Sequence, residues 1–257
     1  MRKRDAIFFF TLILRVKFIQ LPTELTGDEN SMNITRKTTP DPIAAIKNHD
    51  GGMLWALQAA EEVAGKAGLA VVLKQAGLES LIDHYPEDLN QISGKYTLGQ
   101  YADLNVELLN FFGRGGRSMV LRIGRLSQQK GMEKFNNAFG AAAIGALRLL
   151  PEGMRVQKAL EVVKFGFEKF FTYQGVQPLK IRVEDRGDRV AYIAETCGCC
   201  CGYTADAPIC YMFTGYFSEG AKVPFNKDDQ FDVKEVECRA MGAPACVWEV
   251  SKLPVRE

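Results

Sequence analysis

The sequence predicts an α+β protein: a helical N-terminal part followed by a small antiparallel sheet, ordered β-β-α-β-β and packed by helices. Two changes of pattern carry this expectation. Apolar residues recur at helical spacing through most of residues 53–173, then alternate with polar residues over 179–196 and again over 231–253. The third observation is a confinement: all seven cysteines lie in the last quarter, and the first 196 residues hold none.

The elements follow in order. Residues 1–4 are basic and 6–14 apolar, a superficial likeness to a signal peptide. Arg15 and Lys17 interrupt the run, no small-residue cleavage site follows, and it falls short of the roughly 20 residues that span a bilayer. Residues 1–31 therefore read as sequence upstream of a start at Met32, with a short membrane-facing helix as the alternative. Residues 31–42 (SMNITRKTTPDP) read as a linker, so 1–42 is a disordered or non-native leader and linker. An N-terminal helical segment occupies 43–94, with a helix over 53–75 stopped by Gly77 and a short turn near 78–85.

Thr97 is a plausible N-cap for a helix over 98–112, which GRGGR at 113–117 breaks. Helices are expected over 118–129, 132–150 and 151–173, with Pro151 in a first turn that has no use for its missing N–H. Residues 179–185 and 189–196 flank Arg-Gly-Asp and read as a hairpin. A helix follows over 209–221, and 231–240 and 245–253 form a second hairpin around Met-Gly-Ala-Pro.

A formal charge of +1 and about a quarter charged residues describe an ordinary globular protein without the basic footprint of a nucleic-acid binder. An odd cysteine count clustered at one end fits metal ligation or redox chemistry in a reducing compartment, the cytoplasm, better than a secreted disulfide scaffold.

Glu235 and Cys238 sit near the end of one strand, and Cys246 opens its partner across a tight turn. Cys210, in the preceding helix, supplies a fourth donor. Three thiolates and a carboxylate satisfy a tetrahedral Zn²⁺ with no open position, the usual form of a structural zinc site. Strand alternation alone misaligns Glu235 and Cys238, so a bend or bulge at 236–238 is required.

At these residues the chain resembles a known family. ADAPICYMFTGYFSEGA and VKEVECRAMGAPACVWEV are similar to the 4-vinyl reductase domain family, over roughly residues 95–252 and most strongly from 195. The resemblance implies a TRAPP-subunit-like fold and zinc on Cys210, Glu235, Cys238 and Cys246, with Cys201 a competitor for the first ligand. It also implies a hydrophobic ligand pocket between helices and sheet, and a homodimer. The domain expected over 95–253 is thus a zinc-containing, hydrocarbon-binding module.

Cys197, Cys199, Cys200 and Cys201 form a separate run, read as partly buried thiols near the pocket, a second metal or cofactor contact, or a redox group. Adjacent cysteines diverge, and Cys197 and Cys200 are its only Cys-x-x-Cys pair. Phe111, Phe112, Phe167, Phe170, Phe171, Tyr211 and Trp248 are the candidate pocket residues, with plain core as the alternative for each. The only histidines, His49 and His84, lie upstream of the resemblance. There is no nucleophile elbow or dinucleotide fingerprint, and hence no catalytic constellation. The expected function is a zinc-stabilised receptor, sensor or carrier for an aromatic compound or tetrapyrrole. The alternative is an enzyme or subunit of tetrapyrrole metabolism using Cys197–Cys201.

Overall fold

A computed structural model describes residues 32–87, 91–135, 138–177 and 179–255, so the readings made on 1–31 lie outside the described residues. Helix α1, Asp50–Gln75, is capped by His49, whose Nδ1 accepts the Gly52 N–H at 3.0 Å. Its alanine and leucine face is buried, and Gly65 (φ 72°, ψ 161°) breaks it in a conformation only glycine takes readily. Helix α2, Leu98–Phe112, opens with a full capping box: Thr97 Oγ1 accepts the Gln100 N–H and Gln100 Oε1 accepts the Thr97 N–H.

After a 3-10 turn at Gly113–Gly115 come α3, Gly116–Phe135, and α4, Ala138–Arg148. The expected break at 129–132 is absent. Gly131 stays inside α3 because it faces Trp55 of α1, where an added Cβ would lie 3.0 Å from the indole ring. Helix α5, Glu152–Tyr173, takes Pro151 as its N-cap rather than its first residue.

The main sheet has the order β2-β3-β6-β5, all antiparallel: β2 Ile181–Arg186, β3 Arg189–Ala194, β5 Val233–Glu237 and β6 Cys246–Ser251. One face of the central strands turns Val190, Tyr192, Cys246, Trp248 and Val250 into the main core, and the other buries Ala191, Ile193, Ala245 and Val247 in a second cluster. The main core extends from Met53 on α1 to Val250 on β6, so the helices over 43–94 and the later part share it.

Residues 32–42, the described part of the segment read from sequence as linker, carry regular structure. Strand β1, Ile34–Arg36, pairs antiparallel with β4, Tyr203–Ala205, immediately after the cysteine run. Strands of three residues are too short to show a period. Asp41 then caps a 3-10 turn at Pro42–Ala45 and reaches Arg239 at 3.3 Å.

Helix α6, Tyr211–Gly220, crosses α3 with glycine facing backbone on both sides. A Cβ on Gly124 would collide with the Met212 carbonyl, and one on Gly215 with that of Leu121. This crossing fixes where α6, and with it Cys210, meets the sheet. No described helix is long and apolar enough to cross a membrane.

Candidate metal centre

Three pieces of chain converge beneath α6. The first is the turn after β3, residues 197–202, ended by Gly202 at φ 83°. The second is Cys210, the N-cap of α6. The third is the β5–β6 hairpin, where the pairing slips between Glu235 and Glu237. In regular alternation Glu235 and Cys238 would face opposite ways; the slip inserts one residue and turns both inward. A 3-10 turn, Arg239–Met241, and Gly242 in the left-handed region then return the chain to Cys246.

The ligand atoms of Cys210, Glu235, Cys238 and Cys246 all lie within 4.8 Å of one another, and so do those of Cys197, Cys200, Cys210 and Cys246. The sulfur–sulfur distances are 3.6 Å for Cys197–Cys210, 3.4 Å for Cys200–Cys246, 3.8 Å for Cys210–Cys246 and 3.9 Å for Cys210–Cys238. Glu235 Oε2 accepts the Cys210 N–H at 2.9 Å, while Glu235 Oε1 is buried without a hydrogen-bond partner. A buried carboxylate oxygen with no donor is costly, and a cation is the partner its chemistry lacks.

The protonation pattern is that of a crowded donor set. Burial pushes the Glu235 carboxyl well above the usual carboxylate range, helped by the nearby sulfurs of Cys238 and Cys197. Burial likewise raises Cys210 and Cys246. Cys197 raises Cys200, but hydrogen bonds from Cys210, Cys238 and Cys246 outweigh it and bring Cys200 down to about 6. Cys238, raised by Cys200 but lowered further by Cys210 and Cys246, sits at about 7. Donors this close share protons in the absence of a cation, and a cation replaces those protons.

The supports of this cluster were not all visible in sequence. Asn105 on α2 donates to the carbonyls of Cys199 (3.1 Å) and Ile209 (2.9 Å), tying the two cysteine-bearing segments together. Arg239 donates its backbone N–H to Cys246 Sγ at 3.3 Å and places its guanidinium near the cluster, paired with Asp41. Arg239 was within reach of sequence reading, being the neighbour of Cys238; Asn105 and Asp41, remote in the chain, gave no local signal.

Cys199 and Cys201 belong to neither donor set, though both are buried. Cys201 lies over the Gly198 carbonyl at 4.0 Å, away from the position it was to contest with Cys210. The aromatic residues divide into groups. Trp248 packs with Tyr192, Phe213 and Phe217 between sheet and α6, its Nε1 donating to Thr214 Oγ1 at 3.1 Å. Phe111 pairs with Phe112, and Phe170 with Phe171 and His49. Phe171 and Trp248 are core, Phe111 is partly exposed, and Phe167, Phe170 and Tyr211 are half-buried. A cleft of about 380 Å³ lies elsewhere, lined by Arg148, Glu152, Arg155, Phe225, Asp229 and Val255 among others, and includes none of the seven.

Among solved structures, a mutant Cs H-NOX carrying 4-cyano-L-phenylalanine matches at a TM-score of 0.51 and 12% identity, over 82% of this chain and 100% of that one. A structure that probes heme distortion in the H-NOX family matches at 0.50 and 13%, over 82% and 98%. The fold is that of the H-NOX proteins. No family model matches the sequence, and no curated protein does.

The likeness corrects the fold expected from the 4-vinyl reductase resemblance. The TRAPP-subunit-like assignment falls, and with it the 4-vinyl reductase designation. The physical reason is that a hairpin and one helix can present the same donors in different surroundings, while the fold is set by how the helices pack. A Cys-rich cluster able to coordinate a metal ion remains, on its own geometry.

Proposed function

We propose that this chain is a zinc-stabilised small-molecule-binding domain, a receptor, sensor or carrier. The observation that carries the proposal is the buried convergence of Cys210, Cys238, Cys246 and Glu235 with one carboxylate oxygen unpartnered. Sulfur-rich tetrahedral donation selects zinc over the hard cations, which take oxygen ligands. Closed sites of this type contribute to folding and leave no position for substrate, so the ion is a staple and the ligand sits elsewhere.

The ligand half of the proposal draws on the H-NOX fold, one of whose structures concerns heme distortion. Heme itself does not fit the residues present. His49 spends Nδ1 on the Gly52 N–H, with its ring edge-on to Trp55 and Phe170, and His84 lies exposed beside the Ile82 carbonyl. The clustered thiols face one another instead of a flat slot, whereas axial ligation needs a donor aimed at the macrocycle. Aromatic compounds and metal-free tetrapyrroles are the classes retained. Self-association as a homodimer belongs to the same proposal. Seven thiols without a disulfide among them suit a reducing compartment such as the cytoplasm.

Native mass spectrometry of the full chain, with elemental analysis, tests all of this. Zinc near or above one equivalent is expected; less than about half an equivalent overturns the metal half. Titrating the zinc-loaded chain with indole and protoporphyrin IX tests the ligand half, which fails if neither adds mass.

A further inference from the structure

We propose that the thiolate cluster is binuclear, with two zinc ions sharing Cys210 and Cys246. Cys197 and Cys200 complete one tetrahedron, and Glu235 and Cys238 complete the other. This rests on the metal reading above and deepens it.

The two donor sets are not alternatives drawn from separate places; they overlap in the same two sulfurs. A tetrahedral site with Zn–S of about 2.3 Å has sulfur–sulfur edges of about 3.8 Å. The Cys210–Cys246 edge measures 3.8 Å and the flanking pairs run from 3.4 to 3.9 Å, so each set has the spacing of one tetrahedron. Two ions across an edge that long would lie only about 2.6 Å apart, so loading the second draws these two sulfurs closer together. A thiolate sulfur has lone pairs enough to hold two ions, so an edge shared by two tetrahedra is chemically available.

A single ion leaves the cluster unbalanced whichever set it takes. In the Glu235 set it strands Cys197 and Cys200, buried, against a thiolate cage. In the all-cysteine set it strands Glu235, whose buried Oε1 has no donor. Two ions use all six donors. Five thiolates and a carboxylate then carry six negative charges against four positive ones. Arg239 offsets part of the remaining two negative charges: it bonds Cys246 Sγ through its backbone N–H, and its guanidinium, shared with Asp41, has a buried Nη1 with no hydrogen-bond partner among the described residues.

The Cys-Gly-Cys-Cys turn also acquires a reason. Residues 197 and 200, three apart across a tight turn, both reach the shared edge, while Cys199 between them supplies its carbonyl to Asn105. Gly198 packs against Leu98, where an added Cβ would lie 3.1 Å from a methyl carbon, so the turn is pressed onto α2.

The deciding experiment is native mass spectrometry of the full chain after zinc loading and removal of excess, with Cys200→Ser and Glu235→Gln alongside. Two zinc ions are expected in the parent and one in each variant. Stepwise chelation of the parent should pass through a one-zinc species. A parent that saturates at one zinc overturns the binuclear cluster and leaves the single structural site standing; a parent that binds none overturns both. Iron with acid-labile sulfide in place of zinc also overturns it, because sulfide would then be the bridge. If a variant fails to fold, the parent's count still decides.

Discussion

Gly215→Ala tests whether the crossing of α3 and α6 sets the metal centre. The added methyl would collide with the Leu121 carbonyl and come within 2.9 Å of the Arg125 nitrogen, whereas ordinary contact begins at 3.4 Å. The helices must therefore part by at least the difference between those two distances. Overpacking of this kind costs about 1–3 kcal/mol, at the upper end where backbone must move. For a chain of this size that is a fall in Tm of roughly 5–10 °C. The displacement also exceeds the roughly 0.2 Å tolerance of metal–ligand distances, and Cys210 rides on the same helix. Zinc loss to a competing chelator should accelerate together with the fall in Tm. The control is Gly166→Ala on α5, where an added Cβ meets nothing within 4 Å and helix propensity favours alanine by up to about 1 kcal/mol. Circular dichroism melting and chelator-competition kinetics read both. Should Gly215→Ala melt within about 2 °C of the parent with unaltered zinc release, the close crossing does not position Cys210, and the reasoning fails.

Three further outcomes follow from the geometry. Cys201→Ser should keep the parent's zinc content, because Cys201 lies in neither donor set, whereas Cys246→Ser should lose metal and folded structure together; equal zinc contents in the two would contradict the assignment. Glu235→Gln should weaken zinc binding by more than the 10–100-fold typical of an outer-sphere change, and parental affinity should rise with pH as bound protons are displaced; calorimetric titrations between pH 6 and about 8 showing no pH dependence would be inconsistent with this. Burial raises the Asp41 carboxyl, but hydrogen bonds from Ile43 and Gly202 and the charges of Arg239 and Lys37 outweigh it, so the folded pKa lies below the ordinary 3.8. The stabilisation is therefore present above that value and is lost as pH falls through the folded pKa. Asp41→Asn should cost about 1–3 kcal/mol at neutral pH and flatten the acid limb of stability below pH 4, read by urea unfolding across pH.

Local order was legible in the sequence where a local rule governs. Thr97 and Gln100 announce the start of α2, and alternation marks both hairpins close to their observed bounds. The donors of the hairpin were legible for the same reason, including the irregularity before Cys238 that alternation requires. What failed was information carried by contact across the chain. The β1–β4 pairing joins residues far apart, Gly131 remains helical because of Trp55, and Gly124 and Gly215 have meaning only as facing surfaces. The resemblance to the 4-vinyl reductase family rested on local motifs and so misjudged the fold. The cysteine run was read as a set of alternatives, because its relation to Cys210 and Cys246 exists only once the turn has closed onto α2.

The position of the donors has a consequence for the order of biosynthesis. Every sulfur of the cluster lies after residue 196, and both donor sets need Cys246. During synthesis helices α1 to α5 emerge well before a complete cage exists, and α3 presents its bare glycine face at Gly124 with α6 still to come. If the cluster holds the proposed ion, its acquisition is a late event in synthesis. On the zinc reading proposed above, a cell short of zinc would accumulate chains whose C-terminal quarter stands open to proteases.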